Sequence, residues 1–111
     1  MSSAELEEVD VQAVVDVIRS GRLALGPKTR EFERLIADYV GVRHATAVNS
    51  GTSALHLLVR ALGLGPGDEV LVPSFTFAAS VNAVLFEGAT PVFVDIEPET
   101  YNLDPAELVQ K

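Results

Sequence analysis

Cysteine is absent from this chain, which excludes a disulfide frame and any thiol chemistry. Histidine is scarce. His44 and His56 stand too isolated to define a metal site, and each reads as an ordinary strand-start or helix-face residue. Lysine is equally scarce, with Lys28 in an early loop and Lys111 as the last residue. Lysine and arginine together number 8 against 16 acidic residues, and a formal net charge of −8 argues against nucleic acid or an anionic membrane surface as partner. No apolar run approaches the roughly 20 residues of a membrane span. The opening MSSAELEEVD is acidic, without the basic-then-apolar order of a secretory signal. A soluble, cytoplasmic protein is the expectation.

Apolar residues, by contrast, make up 48% of the chain, too many for a disordered one, and 111 residues suffice for one small domain with a modest core. Val11, Val14, Val15 and Ile18 form a helical stripe that ends at Ser20-Gly21. Leu23–Lys28 reads as a loop broken by Gly26-Pro27. Thr29 is the expected N-cap of a second helix, with Phe32, Leu35, Ile36 and Tyr39 on one face and Gly41 closing it. Ala45–Val48 reads as a buried strand, followed by a turn and a helix that stops at Leu62-Gly63. Leu64–Asp68 is a glycine-rich turn, Glu69–Pro73 a second strand, and Ala78–Leu85 a helix closing at Gly88. Pro91–Asp95 is a third strand, and Asp104-Pro105 starts a last helix. Strands alternating with helices predict a mainly parallel sheet with flanking helices, a pattern that usually needs more elements than fit here. The expected division is amino-terminal helices over residues 1–43 and the start of a larger domain over 44–111.

The stretch Asn49–Ser53 organises the rest. A strand running through a small-residue turn into a helix leaves the first helical N–H groups unpaired at the strand's carboxyl end. With the macrodipole and the hydroxyls of Ser50, Thr52 and Ser53, those donors suit a phosphate dianion, and Gly51 lets it approach the backbone closely. The same residues also suit a plain capped helix that binds nothing. The topology sends Ser50–Ser53, Ser74–Phe77 and Asp95 to one sheet edge, where Asp95 either faces a site or merely caps its strand.

Gly26 with Phe32-Glu33, then NSGTSAL, GPGDEVLVPSFTF and GATPVFVDIEPETYNLD, resemble in order and spacing the amino-terminal third of the DegT/DnrJ/StrS family. These are pyridoxal-phosphate-dependent aminotransferases of nucleotide-linked keto-sugars. The resemblance implies an α/β fold, the amino-terminal part of the fold type I large domain. It also implies a cofactor phosphate held by Gly51, Thr52 and Ser53, with Phe77 stacked on the pyridine ring. Phe77 read without it is a core aromatic. Thr76 is expected to line the same pocket, and Lys28 with Gly26-Pro27 resembles a substrate-side loop that equally suits plain solvation.

Such an enzyme also needs a lysine that bonds to the cofactor and moves the α-proton, and a carboxylate on the pyridinium nitrogen. Neither Lys28 nor Lys111 matches the family's catalytic motif, so no catalytic residue is assigned. The resemblance implies an amino-terminal fragment of a homodimeric sugar aminotransferase, inactive alone, whose whole takes an amino group, usually from glutamate, to a keto-sugar nucleotide in polysaccharide biosynthesis. A related dehydratase branch and a truncated, non-catalytic paralogue acting as a phosphate-binding or dimerising module are the alternatives.

Overall fold

A computed structural model describes residues 5–109; residues 1–4 and 110–111, Lys111 among them, lie outside the described residues. The chain divides between Ala47 and Val48 into two compact units. The first holds helices α1 (Glu8–Ser20) and α2 (Pro27–Val40). Gly21 ends α1 at φ 68° and Gly41 ends α2 at φ 77°, the left-handed cap that glycine adopts without steric cost.

Helix α2 starts earlier than the sequence suggests. Its N-cap is Gly26, not Thr29, and Pro27 occupies the first helical position. A proline there loses nothing, because that N–H has no intrahelical acceptor, and its fixed φ suits the helix. Gly26-Pro27 therefore begins the helix rather than breaking the chain. A side chain at position 26 would bring Cβ to 2.7 Å from the Arg22 carbonyl oxygen, which fixes glycine at that entry.

The second unit runs α3 (Gly51–Ala61), β1 (Glu69–Pro73), α4 (Ala78–Phe86), β2 (Thr90–Val94) and α5 (Pro105–Leu108). β1 and β2 pair in parallel from Glu69↔Thr90 to Pro73↔Val94. The ladder is extended at one end by Thr90 N–H to Asp68 O (2.9 Å) and at the other by Ser74 N–H to Val94 O (2.8 Å). Helix α4 is the crossover between them and packs on both strands and on α3. Its small-residue face permits that approach: Ala79, Ala83 and Val84 are buried, and Val84 joins Val72 and Ala89 in the core, with Val70 and Val81 against it. Burying a valine such as Val94 (1% exposed) stabilises by about 1.5–3 kcal/mol. Asp104 caps α5 by accepting from Ala106 N–H at 2.8 Å, as the Asp-Pro pair predicts.

Two expectations are corrected. Residues 45–48 form no strand: they carry no ladder bond, and the Ala47 N–H goes instead to Glu33 Oε1 of α2 at 2.9 Å. An apolar run becomes a strand only when a neighbour takes its backbone groups, and among the described residues none does so here. The last strand is Thr90–Val94, not Pro91–Asp95, because Asp95 turns out of the ladder.

Candidate functional site

Helix α3 begins as the sequence of its turn requires. Ser50, in extended conformation, is the N-cap. Its Oγ accepts from the Ser53 N–H at 3.1 Å and donates to Ser53 Oγ at 3.0 Å, and the Ala54 N–H makes the first helical bond to Ser50 O. Of the four donors that start a helix, the capping bond uses Ser53's. The N–H groups of Gly51 and Thr52 have no acceptor among the described residues.

Gly51 is not demanded by the protein itself. Its φ lies outside the left-handed region, and a Cβ built on it meets no atom within 4 Å. Neither backbone strain nor packing explains the residue, although glycine weakens a helix relative to alanine.

Gly51 and Thr52 line an open cleft of about 480 Å³ together with Ala54, Leu55, Phe77, Ala79 and Ser80. Phe77 is the N-cap of α4 and 79% exposed, so its ring is a solvent-facing wall of that cleft rather than part of the core. The amino ends of α3 and α4 thus meet at one place, with unpaired backbone donors on one side and an aromatic ring on the other.

The remaining candidates fall elsewhere. Ser53 is not among the lining residues, and its N–H and hydroxyl both engage Ser50. Thr76 is not among them either; its Oγ1 lies 3.1 Å from Ser80 Oγ. Asp95 Oδ1 accepts from Ser74 Oγ at 3.1 Å and from Ile96 N–H at 2.8 Å, bonds that fasten the end of β2 to the loop after β1. Lys28 pairs with Glu31 at 2.7 Å in the first turn of α2. Ala79 and Ser80 were not singled out from sequence. Only the packing of α4 against α3 brings them to the cleft, and no spacing within Ala78–Leu85 signals it. Among the described residues no group of histidine and carboxylate side chains is placed to hold a metal, and no helix is long and apolar enough to cross a membrane.

A parallel strand pair with its crossover helix, packed beside a helix whose first N–H groups stay unpaired among the described residues, defines part of an α/β domain. The chain belongs to the DegT/DnrJ/EryC1/StrS aminotransferase family, whose family model matches residues 4–111. It is 62% identical over 78 residues to the GDP-perosamine synthase of Caulobacter vibrioides, covering 70% of this chain and 21% of that protein. It is 48% identical over 99 residues to the spore coat polysaccharide biosynthesis protein SpsC of Bacillus subtilis, covering 89% and 25%. Among solved structures it superposes with a TM-score of 0.93 and 43% identity on Spr1654 of Streptococcus pneumoniae, described as a sugar aminotransferase, over 98% of this chain and 28% of that one. That protein has been determined in PMP and PLP forms. The chain spans about a quarter of the length of the curated relatives it matches.

Proposed function

We propose that this chain supplies the phosphate-binding and ring-stacking part of a pyridoxal 5'-phosphate-dependent aminotransferase of nucleotide-linked keto-sugars. One observation carries the reading: Gly51, Thr52 and Phe77 wall a single cleft, with the N–H groups of Gly51 and Thr52 unpaired among the described residues and the Phe77 ring exposed. A glycine that neither conformation nor packing explains supports it, because an anion resting on the backbone does explain it. So do the family and the GDP-linked sugar in the name of one relative.

The residues fit the cofactor's two recognisable ends. The N–H groups of Gly51 and Thr52 and the Thr52 hydroxyl hold the phosphate at the positive end of α3. Ser53 contributes by fixing the Ser50 cap, which keeps the first turn of α3 in the geometry that aims those donors. Phe77 orients the pyridine ring by stacking on its face and excludes water from that side. The bound cofactor supplies an electron sink for amino transfer. The proton-moving lysine and the carboxylate on the ring nitrogen are not assigned to residues of this chain; Lys28 is committed to Glu31.

Glutamate as amino donor, a homodimeric assembly and a cytoplasmic setting complete the proposal, with residues 44–111 as the start of the cofactor-binding domain. The test is conversion of a nucleotide-linked keto-sugar to its amine by the full-length protein with glutamate and pyridoxal phosphate. Glutamate-dependent amine formation supports the reading. Tight cofactor binding without amino transfer to any keto-sugar nucleotide refutes the assigned activity.

A further inference from the structure

Helices α3 and α4 are fastened to each other at a second place, away from the cleft at their amino ends. The His56 Nε2–H of α3 donates to Glu87 Oε1, 2.5 Å away, at the carboxyl-terminal cap of α4. The Arg60 guanidinium, one turn further along α3, lies 3.5 Å from the same oxygen. The Phe86 ring stands edge-on to the His56 ring, with centroids 5.3 Å apart and planes at 65°.

A carboxylate in that position is unexpected on electrostatic grounds. The last turn of a helix carries partial negative charge and favours a cation. Glu87 is moreover only 17% exposed, so it has given up much of its hydration. The pairing with His56 and Arg60 accounts for its presence. It does so by binding the end of α4 to the middle of α3 in one alignment, and no other ion pair among the described residues joins the two helices.

We propose that His56 and Glu87 are positioning residues that set the spacing between the phosphate-holding end of α3 and the aromatic platform at Phe77 on α4. The inference rests on the reading of the cleft as a pyridoxal-phosphate site. It assigns the pair a role in joint recognition of phosphate and ring, not in holding either alone. Loosening the pair leaves the N–H groups of Gly51 and Thr52 in place, because the Ser50 cap is independent of it. What changes is how well phosphate and ring are met at once.

The test measures the affinity of the full-length protein, stripped of cofactor, for pyridoxal phosphate by fluorescence quenching and for inorganic phosphate by competition. His56→Ala and Glu87→Ala are each expected to weaken pyridoxal-phosphate binding about three- to tenfold, less than the loss of a direct charge-assisted bond because neither residue touches the ligand. The double variant should bind no more weakly than either single one. His56→Gln, which can still donate to Glu87, should restore most of the affinity, and inorganic phosphate should bind all folded variants alike. Unchanged pyridoxal-phosphate affinity in His56→Ala overturns the role, as does an equal loss for phosphate and cofactor. Where Glu87→Ala fails to fold, the His56→Ala and His56→Gln pair decides alone. A wild-type protein that binds no pyridoxal phosphate overturns the underlying reading as well, an outcome distinct from tight binding that the variants leave untouched.

Discussion

Replacing Gly51 with alanine should move stability and cofactor binding in opposite directions. The position is the first residue of α3, its φ is accessible to any L-residue, and the added Cβ meets no protein atom within 4 Å. On the protein alone the substitution is therefore favourable. Removing glycine's conformational freedom from the unfolded chain stabilises by about 0.4–1 kcal/mol where the native conformation suits the new residue. Against a phosphate resting on the backbone the same methyl group intrudes. Displacing one charge-assisted hydrogen bond costs about 1.5–3 kcal/mol, or roughly 10- to 150-fold in affinity. Urea unfolding of the cofactor-free full-length protein reads the first effect and titration with pyridoxal phosphate reads the second. A Gly51→Ala protein that is at least as stable and binds the cofactor as tightly as the wild type would refute the placement of the phosphate at this helix end. A protein destabilised by more than about 1 kcal/mol would instead show that glycine is needed for the fold.

Other consequences follow from the same geometry. Thr52→Val keeps the side-chain shape and removes one hydroxyl donor, so cofactor binding should weaken by about 1–3 kcal/mol in the same titration; an unchanged affinity removes Thr52 from the site. Phe77→Ala should loosen the cofactor and alter its absorption spectrum with little loss of stability, because the ring is 79% exposed and contributes little to the core; a large drop in stability would make it a packing residue. Glu31 has its carboxyl held below its ordinary value, first by the hydrogen bond from Lys28 and then by that residue's charge. Its contribution to stability is present above the ordinary carboxylate range and lost as pH falls through the lowered value. In Lys28→Ala an NMR titration should find Glu31 shifted upward, and no shift would mean that the pair is not formed in solution. The 111-residue chain expressed alone should bind a hydrophobic dye and self-associate, since Leu58, Leu62, Phe86 and Phe93 are among many exposed apolar side chains. A clean monomer with a cooperative melt would contradict that.

What could be read from the sequence was whatever neighbouring residues decide among themselves. Gly21 and Gly41 end their helices, the Asp104-Pro105 pair starts α5, and a hydroxyl of the Asn49–Ser53 turn caps α3, because each is settled by backbone conformation or a side-chain bond within a few residues. β1 was legible for a related reason: a short apolar run between a glycine-rich turn and Pro73 has few other uses. Ala45–Val48 is also a short apolar run, yet its strand character depends on a partner that sequence spacing does not reveal. Local rules also erred at Gly26-Pro27, because a proline that breaks a chain and a proline that opens a helix look alike in sequence, and here Pro27 opens α2. In the cleft, Gly51 and Thr52 were visible as a turn motif and Phe77 through resemblance. Ala79 and Ser80 enter only through the packing of α4 on α3, as does the link between His56 and Glu87, which are 31 residues apart.

A cofactor-bound crystal structure of the full-length protein is the most direct measurement. The account predicts phosphate oxygens within hydrogen-bonding distance of the Gly51 and Thr52 N–H groups, with the Phe77 ring lying flat against the pyridine. A phosphate bound away from the start of α3, or a Phe77 ring that does not touch the cofactor, would contradict it.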